Sequence, residues 1–329
     1  MNFIITQACN KGCPYCFAAQ SRKEHIQAMS FEQFKAYVDK TPGHIKLLGG
    51  EPTQHPQFLE FLDYLYKLHR PTTIISNFLF NEDIKKGILS RLEKGYSLSF
   101  LVNSTDLDIK GRDTIWKENY NEIYTLLYSM DKEREISCGI TLYEKNSTDY
   151  YLSYLDFLKS ITPGIEGLRI SLNFPGNDED KEPNSIIDNK TAGEKILAVC
   201  KWAIDNLILP HIDCCLFPCL FNNREEFKFI SNFASRVKWY CGESAPADIF
   251  PDGTVSYCYP LKDTLKLNFE DYKFSGEAQE ALRATYAIAQ NKITLSPRCQ
   301  NCSFFKCGIC KGPCLGFYDL KKVDIPKWY

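Results

Sequence analysis

The chain has 329 residues, 44% of them hydrophobic and 24% charged, with a formal net charge of −2. That length buries one large core or two, and the composition is that of an ordinary globular protein. The charge balance gives no electrostatic reason to expect nucleic acid or an anionic membrane as partner, and no apolar run is long enough to span a bilayer or reads as a secretory signal, so a cytoplasmic location is expected.

The first apolar run, Phe3–Thr6, reads as a buried strand. Directly behind it stand Cys9, Cys13 and Cys16, in Gln7-Ala-Cys-Asn-Lys-Gly-Cys-Pro-Tyr-Cys-Phe17. Ser30-Phe-Glu-Gln33 is a capping box that opens a helix toward Lys40. Further strand patterns lie at His44–Leu48, Thr72–Ser76, Ser97–Val102, Ile136–Leu142 and Leu168–Leu172. Helical patterns alternate with them, near Phe58–His69, Asn81–Lys94, Tyr120–Met130, Tyr150–Ile161 and Gly193–Leu207. Six β/α units in series predict an α/β fold with a parallel sheet and right-handed crossovers.

Ligands of such sheets gather at the carboxyl ends of the strands. The cysteine loop follows the first strand, and Gly49-Gly50-Glu51-Pro52-Thr53 follows the second. Ser76, Asn77, Asn103, Ser104, Thr141, Arg169 and Asn173 stand at or near later strand ends. His55, in Pro52-Thr-Gln-His-Pro56, is expected to cap or pack at a helix entrance, and the charge run 177–182 to form a solvated loop.

The character changes after residue 208. Leu209-Pro-His-Ile-Asp-Cys-Cys-Leu-Phe-Pro-Cys-Leu220 is strand-like and holds Cys214, Cys215 and Cys219. Alternation places His211, Asp213 and Cys215 on one face, and Ile212 and Cys214 on the other. Cys241 follows, then a Pro251-Asp252-Gly253 turn whose flanks suggest a hairpin delivering Cys258 near Cys241. The tail adds Cys299, Cys302, Cys307, Cys310 and Cys314.

Fifteen cysteines without an export signal, clustered at the two ends of the chain, argue for metal rather than disulfides. Cys138 and Cys200 sit in apolar contexts and read as core. Three thiolates as close as Cys9, Cys13 and Cys16 can hold three irons of a four-iron, four-sulfur cluster, which leaves the fourth open to a small molecule. Taken alone, a C-x-x-C pair also suits zinc or redox thiols, Gly-Gly-Glu-Pro reads as a strand-ending turn, and the tail suits a zinc ribbon equally well.

The triplet, with aromatic Tyr15 before its last cysteine, resembles the CxxxCxΦC signature of the radical S-adenosylmethionine (SAM) superfamily, and Gly49–Pro52 its GGE motif. The resemblance implies a partial (β/α)6 TIM-like barrel over residues 1–208. It implies a [4Fe-4S] cluster on Cys9, Cys13 and Cys16, with SAM on the open iron. Gly49, Gly50, Glu51 and Pro52 would receive the methionine ammonium, Tyr15 the adenine, and some of Asn77, Asn103, Ser104, Thr141 and Arg169 the ribose and carboxylate.

Residues 209–329 resemble the SPASM extension, a small cysteine-rich domain with one or two auxiliary [4Fe-4S] clusters. Gly253-x4-Cys258, Cys299-x2-Cys302 and Cys310-x3-Cys314 match its elements. This chain departs from the pattern in the spacing of Cys307 and Cys310, and it has no cysteine beyond Cys314. The expected partition joins Cys241 and Cys258 with Cys314, and groups Cys299, Cys302 and Cys310. Cys215, Cys219 or Cys307 would complete the sets.

By this resemblance the chain cleaves SAM reductively and abstracts a hydrogen atom from a peptide or protein, installing a cross-link or other modification. Cys214 or Cys215 is a candidate hydrogen donor, and Asp213 or Asp248 a candidate base. A flavodoxin- or ferredoxin-type electron donor and an oxygen-poor setting are implied. Because the motif begins at Cys9, leader recognition is expected from a separate protein, or is unnecessary. The alternatives are a radical SAM enzyme for a sugar or nucleoside, and a non-catalytic zinc module. The zinc module leaves the spacing of Tyr15 and Gly49–Pro52 from the triplet unexplained.

Overall fold

The computed structural model describes residues 1–16, 18, 26–105, 112–143, 145–162, 164–173, 190–242, 247–312, 314–318 and 320. The charge run at 177–182 lies outside them. Seven β-strands follow one another as a parallel series: β1 (Asn2–Thr6), β2 (Ile45–Gly49), β3 (Thr72–Ser76), β4 (Leu98–Asn103), β5 (Ile136–Leu142), β6 (Gly167–Leu172) and β7 (Leu209–Ile212). Between them run α1 (Phe31–Asp39), α2 (Phe58–Lys67), α3 (Glu82–Glu93), α4 (Arg112–Ser129), α5 (Thr148–Ile161) and α6 (Lys190–Asp205). The six expected strands and six expected helices all form, as a partial β/α barrel, and β7 adds a seventh strand beside β6.

Local chemistry sets the helix boundaries. Asn81 caps α3, and Ser147 caps α5 by accepting the Tyr150 amide at 3.1 Å. Ser30 likewise accepts the Gln33 amide at 3.2 Å, but the return half of the capping box is missing. Gln33 instead donates to Tyr37 Oη at 3.1 Å and to the Pro251 carbonyl at 2.8 Å, tying α1 to the late hairpin. Helix α4 begins well before Tyr120, because Trp116, Tyr120, Tyr124 and Tyr128 stack at helical spacing along one face.

Alternation along each strand separates two environments. The face under the helices is fully buried, with Phe3, Ile5, Ile45, Leu47, Ile74, Phe100, Val102, Cys138, Leu168 and Ile170 in one core. Each such large side chain contributes about 1.5–3 kcal/mol. The concave face stays solvent-accessible: Leu48, Thr73, Ile75, Ser99, Leu101, Asn103, Ser137, Thr141, Arg169 and His211 are half-buried, and Lys46 is exposed.

The chain then crosses to the opposite edge of the sheet. Strand β8 (Asp248–Ile249) lies parallel to β1, and β9 (Thr254–Ser256) and β10 (Lys266–Asn268) extend it as an antiparallel meander. The final sheet order is β10-β9-β8-β1-β2-β3-β4-β5-β6-β7. On the way, α7 (Arg224–Phe233) leads into Ser235–Lys238, which bridges to His211 and Cys215 alongside β7. After β10 come α8 (Ser275–Lys292), α9 (Pro297–Asn301) and α10 (Ser303–Lys306), which carry the last cysteines.

Candidate metal centres and ligand site

Cys9, Cys13 and Cys16 are half-buried in the loop that leaves β1. The loop is held from below by the end of β2, where Gly50 donates to the Thr6 carbonyl and Glu51 to the Ala8 carbonyl, both at 2.8 Å. From the side, Asn77 donates to Asn10 Oδ1 at 2.8 Å, and Asn10 donates to the Leu79 carbonyl at 2.6 Å. The buried ammonium of Lys11 donates to the Thr105 carbonyl. The Lys11 amide points at Cys9 Sγ from 3.4 Å, a contact that favours a thiolate there.

The two glycines of the GGE segment are required by the crossing of two backbones. A Cβ on Gly49 would stand 2.3 Å from the Thr6 oxygen, and one on Gly50 would stand 2.5 Å from the Ala8 oxygen and 2.6 Å from that of Gln7. The Glu51 carboxylate is only 1% exposed. Its Oε1 accepts from the Thr53 amide at 3.2 Å, Thr53 Oγ1 at 2.8 Å and Ser76 Oγ at 2.9 Å; Oε2 accepts from the Asn77 amide at 2.7 Å. Burial raises its pKa, while these hydrogen bonds pull the other way. The carboxylate thus joins the ends of β2 and β3.

The other expected ligand-binding residues divide into two groups. Asn77 is spent on Asn10 and the Leu79 amide. Ser104 is fully buried, with both its amide and its hydroxyl on the Gly139 carbonyl. In contrast, Asn103, Thr141 and Arg169 are half-buried on the concave face; Thr141 meets Ser171 at 3.2 Å and Arg169 forms an ion pair with Asp213. Tyr15 pairs with Tyr143, ring centroids 6.0 Å apart. Pro52 is buried at the start of a short 3-10 turn. Asn10, Lys11 and Tyr143 were not anticipated, although the first two lie inside the cysteine motif.

The late cysteines meet beyond β7. Cys214 adopts a left-handed backbone with φ of 58°, which ends the strand's alternation. Cys215 is therefore buried while Cys214 is exposed, and the expected grouping of Cys215 with His211 and Asp213 fails at that residue. Cys215, Cys241 and Cys314 bring their sulfurs within 4.8 Å of one another, the single such trio among the described residues. Cys314 also accepts the Gly316 amide at 3.4 Å.

Hydrogen bonds from Cys215 and Cys314 hold the Cys241 thiol down to about 3, and the bond with Cys241 pushes Cys215 well up. Tyr257 and Tyr286 stack at 4.3 Å with buried hydroxyls that find no partner at normal geometry, yet both favour the Cys241 thiolate. The Pro251–Gly253 turn forms as read, with Gly253 at φ 84° and Asp252 accepting the Thr254 amide at 3.0 Å. It brings Cys258 near this set, where burial raises its thiol, followed by the negative fields of Cys314, Asp248 and Cys241.

A soft, buried, thiol-only donor set with orphaned hydroxyls facing it suits an iron–sulfur centre. Cys299 and Cys302 are half-buried and Cys310 is buried, around a cavity that Cys219 also lines; Cys307 is exposed and lies outside its lining. Cys138 and Cys200 are fully buried in the core, and burial pushes both thiols up to about 12. His55 is buried between the Met29 carbonyl and the Gln57 amide, as a packing residue. Asp248 is buried, its carboxylate accepts from Asn2 at 2.7 Å, and burial raises it to about 6.

Residues 3–151 match the family model described as the radical SAM superfamily. An S-adenosylmethionine-dependent nucleotide dehydratase from Selenomonas ruminantium is 37% identical over 82 residues, 23% of this chain and 29% of that protein. The antilisterial bacteriocin subtilosin biosynthesis protein AlbA of Bacillus subtilis (strain 168) is 25% identical over 152 residues, 44% of this chain and 33% of that protein. The matches thus span about a third of these curated relatives. The fold is also that of Streptococcus suis SuiB bound to its precursor peptide SuiA: TM-score 0.62, 17% identity, covering 100% of this chain and 74% of that one. No described helix is long and apolar enough to cross a membrane.

Proposed function

We propose that this chain, whose residues 3–151 match the radical SAM superfamily model, is a radical SAM enzyme that modifies a peptide or protein substrate by hydrogen-atom abstraction. Cys9, Cys13 and Cys16 would hold a [4Fe-4S] cluster whose open iron takes SAM. When bound, this pair supplies a 5′-deoxyadenosyl radical that removes a hydrogen atom from an unactivated C–H bond. The chain's own part is to orient and shield. The clip between β2 and the cysteine loop fixes the cluster's position, and Tyr15 with Tyr143 offers an aromatic wall for adenine. Asn103, Thr141 and Arg169 present polar groups on the accessible concave face.

The observation that carries the peptide reading is the sulfur set of Cys215, Cys241 and Cys314, placed where β7 leaves the concave face. With Cys258 it would hold an auxiliary [4Fe-4S] cluster able to take an electron from a substrate radical as a new bond closes. Asp213, at the same strand end, is the base nearest to hand, and Cys214 a thiol beside it, 4.0 Å from its Oδ2. Residues 1–208 would act as the catalytic core and 209–329 as the auxiliary unit, in the cytoplasm, with a flavodoxin- or ferredoxin-type reductant. Similarity to a peptide-antibiotic biosynthesis protein supports the same reading.

The match to a nucleotide dehydratase favours a second reading, a nucleotide substrate. That match is confined to 82 residues, whereas the likeness to SuiB includes the cysteine tail. The test is an anaerobic assay with reconstituted protein, SAM and dithionite. Short peptides encoded beside the gene are compared with the common nucleoside triphosphates, and 5′-deoxyadenosine and product mass are read together. A peptide that stimulates 5′-deoxyadenosine and loses two hydrogens supports the oxidative reading. Stimulation by a nucleotide alone transfers the proposal to the second.

A further inference from the structure

The tail holds Cys299, Cys302 and Cys310 around one cavity, and Cys219 lines the same cavity. We propose that Cys219, which belongs to the turn just after the last barrel strand, is the fourth ligand of a second auxiliary iron–sulfur cluster held with Cys299, Cys302 and Cys310. This assignment rests on the reading of the tail as an iron–sulfur unit and adds to it which sulfur closes the outer site.

The geometry begins with the turn. Pro218–Leu220 is a single 3-10 turn in which Pro218 and Leu220 are buried and Cys219 is exposed. It cannot rotate, because α6 is pressed onto it: a Cβ on Gly193 would stand 1.8 Å from the Leu220 oxygen. A second tie, the Leu216 amide on the Lys238 carbonyl at 2.8 Å, holds the approach to the turn. With its neighbours anchored inward, Cys219 faces outward into the cavity that Cys299, Cys302 and Cys310 line from the other side.

The half-open cavity holds about 140 Å³. A lone zinc with sulfurs at about 2.3 Å needs far less room, while a core of four irons and four sulfides needs a space of this kind. Lys190 and Arg298 also line the cavity, and two cations suit a centre whose thiolates leave it with net negative charge. The Gly312 amide points at Cys310 Sγ from 3.4 Å, the same amide-to-sulfur contact seen at Cys9 and Cys314.

Cys307 is the rival ligand by sequence. It lies outside the cavity lining, exposed, with its thiol 3.5 Å from the Phe304 carbonyl. With Cys219 in the outer set and Cys215, Cys241, Cys258 and Cys314 in the inner one, each centre has four cysteines. Cys214 and Cys307 are left over.

The test is anaerobic reconstitution of the full chain and of Cys219→Ala and Cys307→Ala, with iron, sulfide and zinc counted and EPR spectra recorded. The wild type is expected to bind about twelve irons, four at each of three centres. Cys219→Ala is expected to lose up to a third of that iron, or to show a three-iron signal on oxidation, with its far-UV circular dichroism and the reduced signal of the SAM-binding cluster intact. Cys307→Ala is expected to match the wild type. Full iron and an unchanged spectrum in Cys219→Ala, or the loss appearing in Cys307→Ala, overturns the ligand assignment alone. About four irons in the wild type, or zinc in the tail, overturns the iron–sulfur reading of the tail itself. Should Cys219→Ala not fold, Cys219→Ser decides, because an oxygen ligand keeps the iron but alters the EPR signal of that one centre.

Discussion

The amide of Glu51 donates to the carbonyl of Ala8 at 2.8 Å, so the end of β2 and the cysteine loop are hydrogen-bonded directly to each other. The GGE segment therefore acts first on the cluster loop. This view separates a defect in holding iron from a defect in binding SAM.

Gly50→Ala would push a methyl group into the Ala8 and Gln7 oxygens, at 2.5 and 2.6 Å. Overpacking of this kind costs about 1–3 kcal/mol and displaces the softer partner, here the loop. The expected outcome is loss of iron at the SAM-binding site with auxiliary iron retained, measured by iron content and reduced-state EPR. A variant with full iron and merely weak SAM binding would contradict it.

Glu51→Ala strips the acceptor from the Asn77 amide and from the Thr53 and Ser76 hydroxyls. Unsatisfied buried donors of this kind cost about 1–3 kcal/mol each, so a loss of roughly 3 kcal/mol or more is expected in urea unfolding. An effect on SAM affinity with no change in stability would show that the carboxylate works on the ligand after all.

Asp248 gives a pH signature. Its folded pKa of about 6 lies above the ordinary 3.8 because of burial, so between these values the folded state holds the proton more tightly. Its contribution is therefore favourable at low pH and is lost as pH rises through about 6. Relative to Asp248→Asn, the wild type is expected to lose about 1–2 kcal/mol between roughly pH 5 and 7.5. Urea midpoints of the two metal-free proteins would check it, and a constant difference would refute it.

Tyr257→Phe and Tyr286→Phe remove hydroxyls that have no partner at normal geometry, so neither is expected to cost more than about 1 kcal/mol. In the reconstituted protein each is expected to make the inner centre harder to reduce, since hydrogen bonds to cluster sulfur raise its potential. Redox titration followed by EPR reads this directly.

Cys214 stands outside both four-cysteine sets. Cys214→Ala is expected to leave iron content unchanged. If the product keeps its mass and gains deuterium from heavy water, the same variant should abolish that incorporation while 5′-deoxyadenosine still forms.

Much of the barrel was legible because each strand carries its own signal. Ile136–Leu142, for example, buries Ile136, Cys138, Ile140 and Leu142 in alternation. What stayed hidden depends on contacts distant in sequence. β8 is two residues long and is a strand by virtue of β1 beside it. Gln33 looked like a capping partner, but its side-chain amide instead donates to the Pro251 carbonyl, 218 positions away. The bonds of the Glu51 carboxylate to Ser76 and the Asn77 amide join residues 25 and 26 positions away, which no local pattern announces. The cysteine face of β7 was misread at one residue, since alternation assumes extended backbone and Cys214 leaves it.

The pairing of Asn2 with Asp248 joins residues 246 positions apart. During synthesis at about 5–20 residues per second, the outer edge of β1 must wait roughly 10–50 s before β8 exists to cover it. An unpaired edge beside a nascent parallel sheet invites pairing with other chains, and such long-range closure is slow. Ribosome pausing, slow growth or chaperone supply should therefore govern how much of this protein is recovered intact, before any iron is added.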